Sequence, residues 1–213
     1  MLLDVKVLVW DFDGTLTRRT DEMFHAIRDA EFQVIEKHTG WTHEKAIEEF
    51  MKLHKVVTPS GTQVAARLAN ISIKDAAIEA EQYFDRTTYI KRDEKLIELF
   101  KKLKTYRHIL LVNGVKENIR NAIVALGLKL NIFETIITPE DTGVTKPDKK
   151  MFQTVLDFTK RPGGEHLMIG DRPDVDLAPA KAIGMKTCLI GTEKTQLFVD
   201  IACTSVYDIA SLN

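Results

Sequence analysis

The residues of this chain best suited to chemistry are carboxylates and one lysine. Asp11 and Asp13 stand two positions apart, just past the apolar run 5–10, which only Lys6 interrupts. Carboxylates that close repel unless a cation or a shared proton resolves the conflict. On a strand, the period of two would send both side chains the same way. A second acid group follows the run 166–169: Asp171 after Gly170, then Asp174 and Asp176. Lys146 lies in the loop that precedes Pro147 and Asp148. Acids with a lysine, and no Cys/His set, indicate hard-cation chemistry, with Mg²⁺ as the natural choice. The six histidines form no His-x-x-x-His pair and have no cysteines close by, which argues against zinc.

These residues need elements to position them. Val5, Val7, Val9 and Trp10 are β-branched or large, as in a strand buried on both faces of a parallel sheet. From Asp93 onward, helices and strands alternate. Strands are predicted at 108–112, 133–137, 166–169 and 185–190. Helices carry Leu96, Leu99 and Phe100, then Ile119 and Ile123, then Phe152 and Val155, then Val175 and Leu177. Residues 138–147 are expected to form a loop. The fold class is therefore α/β, a doubly wound parallel sheet. Such sheets bind ligands outside the carboxyl ends of their strands. Asp11, Asp13, Asn113, Gly114, Glu140, Asp141 and Asp171 all fall at those ends, with Lys146 on the same side. Glu140 and Asp141 are expected to be solvated loop acids.

Residues 18–90 read differently, as four helices without a strand. Thr20 is placed to cap the first and Gly40 to stop it, and the second runs from Thr42 to about His54. Ser60-x-x-Gln63 is a capping-box pattern opening a third helix, and Ser72-x-x-Asp75 opens a fourth that runs towards Thr87. The expected organisation is a core of 1–17 and 91–213, with a helical cap inserted at 18–90.

Composition sets outer limits. The 213 residues are 44% hydrophobic and 29% charged with a formal net charge of −1, which gives no electrostatic basis for nucleic acid or an acidic membrane. No apolar run approaches the roughly 20 residues of a membrane span, and the first residues lack a basic, apolar leader. A cytoplasmic protein, monomer or homodimer, is expected. Cys188 and Cys203 have apolar neighbours and read as buried free thiols.

In order and spacing these residues resemble the haloacid dehalogenase-like hydrolase superfamily, in its phosphatase branch with a helical cap, similar to phosphoglycolate phosphatases. Asp11-Phe12-Asp13-Gly14-Thr15-Leu16-Thr17 resembles the first motif. Lys146-Pro147-Asp148 resembles the third, and Gly170-Asp171 with Asp176 the fourth. The resemblance implies a Mg²⁺-dependent phosphomonoester hydrolase acting on a small phosphorylated metabolite. It implies Asp11 as nucleophile, forming an aspartyl-phosphate, and Asp13 as general acid and base. Lys146 would offset charge at the phosphoryl group. Asp11, Asp171, Asp176 and the Asp13 backbone carbonyl would hold the metal, with Asp174 as the substitute for Asp176. Backbone amides near Phe12 and Gly14, with Asn113 and Gly114, would bind phosphate. Arg18 or Arg19, at the hinge into the insert, could reach substrate.

The second motif departs from the family pattern. Its strand normally ends on Ser or Thr, whose hydroxyl donates to a phosphoryl oxygen; here Val112 takes that place before Asn113-Gly114. Val keeps the shape of Thr and loses the donor, worth on the order of a few kcal/mol of transition-state stabilisation. The alternatives are a 2-haloacid dehalogenase, against which Asp13 argues, and a catalytically weak binding relative, which Val112 motivates.

Overall fold

The computed structural model describes residues 4–18, 20–54, 56, 58–192 and 197–212. Six parallel strands form one sheet in the order β3-β2-β1-β4-β5-β6. They are β1 (Val7–Trp10), β2 (Arg107–Leu111), β3 (Thr135–Ile137), β4 (His166–Gly170), β5 (Lys186–Ile190) and β6 (Ile201–Cys203). This is a doubly wound, Rossmann-like α/β fold, and the order reverses between β1 and β4, the place where such sheets bind ligands. The register aligns Trp10 with Leu110 on one side and with Ile169 on the other.

Period-two alternation divides β1 between two cores. Leu8 and Trp10 pack with Leu96, Phe100 and Ile123, from α5 (Glu94–Lys102) and α6 (Lys116–Ala125). Val7 and Val9 pack with Met151, Phe152 and Leu177, beside α8 (Lys149–Thr159) and α9 (Ala178–Ala182). Trp10 is fully buried, its ring centroid 5.3 Å from that of Phe100. Its indole N–H donates to His108 Nδ1 at 3.1 Å. That bond leaves the imidazole proton on Nε2, which donates to the Leu103 carbonyl at 3.1 Å. Burial lowers the His108 pKa to about 4, so the ring is neutral.

Between β1 and α5 lie α1 (Asp21–Thr39), α2 (His43–Leu53), α3 (Gly61–Ala69) and α4 (Ile73–Ala80), each starting on a capping hydroxyl. Thr20, Thr42, Ser60 and Ser72 accept from the backbone N–H three residues on. Phe32, Ile35, Phe50 and Val64 form one of the apolar clusters of these helices, distinct from the two sheet cores.

Local differences from the sequence reading have local causes. Gln63 does not close a capping box. Its side chain accepts from Thr58 Oγ1 at 2.8 Å and donates to Thr145 Oγ1 at 3.1 Å. The fourth helix stops at Ala80, and a 3₁₀ turn, Arg86–Tyr89, capped by Asp85, covers its expected end. Residues 138–147 contain a short helix, α7 (Pro139–Thr142), with Thr138 and Asp141 forming a capping box. Glu140 and Asp141 are thus helix-start acids, and they also accept from the Lys116 backbone and side chain. A π-helical turn, Pro173–Leu177, leads into α9. β6 is too short to show a period, and the 3₁₀ helix Val206–Ser211 is marked only by Ser205-x-x-Asp208, which forms a capping box in the structure. Cys188 and Cys203 are buried and free, their sulfurs 3.9 Å apart on β5 and β6. Among the described residues no helix is long and apolar enough to cross a membrane.

Candidate active site

Beyond Trp10 the chain leaves the sheet in a tight loop. The Asp11 N–H still donates to the Ile169 carbonyl at 2.9 Å. The Phe12 carbonyl then accepts from the N–H groups of Thr15, Leu16 and Thr17. Strand geometry has ended by this point, and although both carboxylates line one cavity, they take different partners. Asp11 is buried, and Asp13 is about one quarter exposed and turns to a different partner.

Asp11 belongs to a buried ionic cluster. Lys146 Nζ donates to Asp11 Oδ1 at 2.6 Å and to Asp176 Oδ1 at 2.7 Å, and Lys146 is 0% exposed. Thr15 Oγ1 donates to Asp11 Oδ2 at 3.1 Å. Burial opposes charge on Asp11, but Lys146 and Arg172 outweigh it and hold the carboxyl below its ordinary pKa. Burial and the Asp11 charge both push Asp176 upward. Lys146 is disfavoured by burial but raised by its two acids, so it stays protonated. The Lys146 loop is clamped by Asn113: the Lys146 N–H donates to Asn113 Oδ1 at 2.7 Å, and Asn113 Nδ2 returns a bond to the Lys146 carbonyl at 3.0 Å. The Asn113 amide thus spends itself on positioning the lysine.

Carboxylate oxygens of Asp11, Asp171 and Asp176 lie within 4.8 Å of one another. An all-oxygen, anionic donor set of this size suits a hard divalent cation such as Mg²⁺. Asp176 is buried in this cluster, whereas Asp174 is exposed. Gly14 has φ +94°, and a Cβ there would lie 2.2 Å from Asp171 Oδ2, so only glycine allows the loop to pass this carboxylate.

Asp13 pairs instead with Arg86, whose Nε donates to Asp13 Oδ2 at 3.0 Å. Arg86 is buried and also pairs with Glu81, which accepts from Asn118 Nδ2 at 2.8 Å. Burial works against the Arg86 charge, but Asp13 and Glu81 raise its pKa further. Gly114 lies against this group; a Cβ there would be 3.0 Å from Glu81 Oε1.

A cavity of about 120 Å³ opens above these groups. Asp11, Asp13, Val112, Asn113 and Arg172 line it from the sheet side. Phe24, Ile27, Arg28, Glu31 and Thr62 line it from the helical side, and Arg86 stands at the junction. Arg28 Nη1 donates to Glu31 Oε2 at 2.8 Å, and its guanidinium carbon is 4.5 Å from the Phe50 ring centroid. Burial raises the Glu31 pKa to about 7, with Arg28 pulling only partly the other way. Ser60 Oγ and Thr145 Oγ1, 2.9 Å apart, bond the two sides next to Lys146.

The structure thus brings Asp11, Lys146, Asp171 and Asp176 together, with Phe12, Asp13, Asn113 and Gly14 around them. Arg28, Glu31, Arg86 and Arg172 are additional cavity groups that the sequence reading did not name. Arg172 adjoins Asp171 in sequence, and Arg28 and Glu31 share a face of α1 with Phe24 and Ile27, so faint signals existed. Arg86 had none. Arg18 is exposed and does not line the cavity, and Arg19 lies outside the described residues.

Comparison with known proteins gives the same direction. The family model described as haloacid dehalogenase-like hydrolase matches residues 5–184. A protein of Caldanaerobacter subterraneus, provisionally named pyrophosphatase PpaX, is 25% identical over 197 residues, covering 88% of this chain and 82% of its own. A glyceraldehyde 3-phosphate phosphatase of Methanocaldococcus jannaschii is 24% identical over 214 residues, covering 87% and 85%. The crystal structure of a HAD phosphatase from Thermococcus onnurineus superposes with TM-score 0.68 at 19% identity, over 98% of this chain and 97% of that one.

Proposed function

The chain belongs to the haloacid dehalogenase-like hydrolases, and on that premise we propose that it is a Mg²⁺-dependent phosphatase of small phosphorylated metabolites. The observation that carries this reading is Asp11, buried at the end of β1 and held ionised by Lys146 within a three-carboxylate cluster. Asp11 attacks phosphorus in line, and Asp13 protonates the departing oxygen. The resulting aspartyl-phosphate is opened by a water from which Asp13 removes the proton, releasing phosphate and restoring Asp11. Lys146 offsets negative charge at Asp11 throughout. Asp11, Asp171, Asp176 and the Asp13 carbonyl would hold Mg²⁺, which when bound neutralises charge on phosphoryl oxygens.

The α1–α4 segment serves as the cap, residues 18–90 inserted into the core, and excludes water from the cavity. The cavity volume, below the several hundred Å³ usual for drug-sized ligands, supports a small leaving group. The phosphatase names of the relatives agree with this class. The free buried cysteines suit the cytoplasm. Purified protein should release phosphate from p-nitrophenyl phosphate with Mg²⁺, lose that activity in EDTA, and lose it in Asp11→Asn. Absence of any release by the wild type across a series of metals and pH values would sink the proposal.

A further inference from the structure

Val112 leaves a gap in the phosphate site. It is 2% exposed and lines the cavity beside Asp11, but its side chain can donate nothing. A phosphoryl group attacked by Asp11 still needs donors on the oxygens facing this wall. The Asn113 side chain, the nearest candidate in sequence, is clamped to the Lys146 backbone.

Three guanidinium groups line the same cavity, and their commitments differ. Arg86 is held by Asp13 and Glu81. Arg28 is held by Glu31 and lies over Phe50. Arg172 is held least: its ion pair with Asp171 is 3.9 Å long, beyond hydrogen-bond reach. Burial opposes its charge, but Asp176, Asp11, Asp171 and Asp13 together keep it protonated. Its backbone is fixed, since the Arg172 N–H donates to Asp176 Oδ2 at 3.2 Å. A planar, charged fork on an anchored backbone, lining the same small cavity as Asp11, is suited to two oxygens of a tetrahedral oxyanion.

We propose that Arg172 binds the phosphoryl oxygens that a Ser or Thr hydroxyl would have bound at position 112. This rests on the phosphatase reading and deepens it: the site grips phosphate with an arginine from the loop after β4 in place of a hydroxyl at the end of β2. No bond is made or broken at Arg172; it binds and orients.

The test is a rescue experiment on Arg172→Met, Val112→Thr and the double variant, each checked for an unchanged thermal midpoint. Steady-state kinetics on p-nitrophenyl phosphate with Mg²⁺ is paired with calorimetric titration of inorganic phosphate. Arg172→Met should weaken phosphate binding at least tenfold and lower kcat/KM by about 10²–10³-fold, the range for one lost oxyanion donor. Arg172→Lys should fall between, keeping charge and losing the fork. Val112→Thr alone should change either quantity less than about threefold, but should recover tenfold or more in the Arg172→Met background, as one restored oxyanion donor would. A structural role for Arg172 would not be rescued by a hydroxyl on another strand. A folded double variant no better than Arg172→Met, or an Arg172→Met protein that binds phosphate like the wild type, overturns the inference. A wild type without activity would overturn the phosphatase reading. Phosphate binding that still followed Arg172 and Thr at 112 would in that case leave the arginine's role standing.

Discussion

Two buried carboxylates face the same cavity with opposite electrostatic outcomes. Asp11, at the end of β1, has Lys146 against one oxygen, and its pKa is lowered despite burial. Glu31, on α1, has Arg28 at 2.8 Å, yet burial wins and its pKa rises to about 7. The difference lies in how the partners are supplied. Lys146 comes from 135 residues away and is held by Asn113, whereas Arg172 lowers the pKa of both carboxyls and does not separate them. Arg28 comes from the same helix, three residues away, with its side chain 17% exposed. A charge at a strand end can draw cations from several crossovers of the sheet. A charge on one helix face takes its nearest partner from helical spacing, and for Glu31 that i,i+3 pair, even with Arg172 and Thr62 added, does not offset burial.

The sharpest way to break this contrast is to remove the lysine. Lys146→Met should abolish activity and cost roughly 3–5 kcal/mol of stability, because Asp11 and Asp176 are left buried and repelling. Urea unfolding measures the loss, and added Mg²⁺ should recover part of it. A variant as stable as the wild type would show that the sheet-end cluster is not held by that lysine.

The next largest effect tests the group that joins the two regions. Arg86→Met frees the Asp13 carboxylate, and under the proposed mechanism it should cost part of the about 10²–10⁴-fold that general acid catalysis contributes. The loss should be greater for an alkyl phosphate, whose leaving group needs the proton, than for p-nitrophenyl phosphate. Equal losses on both esters would assign Arg86 a role other than aiming Asp13.

Glu31 gives the smallest effect, and its sign is fixed by the direction of the shift. A carboxyl whose folded pKa is raised from 4.5 to about 7 stabilises the native state below pH 4.5 and loses that contribution as pH climbs through 7. The difference between wild type and Glu31→Gln should therefore change by roughly 3 kcal/mol at most between pH 4.5 and 8. Urea midpoints for both proteins at the two pH values decide it. A flat difference would mean that the Glu31 carboxylate stays ionised in the cavity as Asp11 does.

Much of the sheet side was legible because its signals are local and repeated. An apolar run ending on Asp11, a lysine before Pro147 and Asp171 after Gly170 mark strand ends without knowledge of contacts. The motif resemblance already prefers Asp176 to Asp174, and the π-helical turn Pro173–Leu177 supplies the physical difference, burying the first acid and exposing the second. Thr138-Pro139-Glu140-Asp141 carries a helix-start signal, a cap followed by proline, but four residues are too few to show the apolar period of a helix. Arg86 was unreadable for a different reason. Its value comes from where the chain returns to the sheet after α4, and no spacing rule reports that path.

The hydrogen bond between Trp10 and His108 has a consequence for observing this molecule. The chain has two tryptophans. Trp10 is sealed in the sheet core one residue before Asp11, against a neutral imidazole. Trp41 is partly exposed between α1 and α2, with Lys45 Nζ 5.2 Å from its ring centroid. One indole emits from a dry, fixed surrounding and the other from a wet, charged one, so their fluorescence separates by colour. Each side of the cavity thus carries its own optical label: rearrangement within α1 and α2 would change the red-emitting component, and disturbance of the β1–β2 core the blue one.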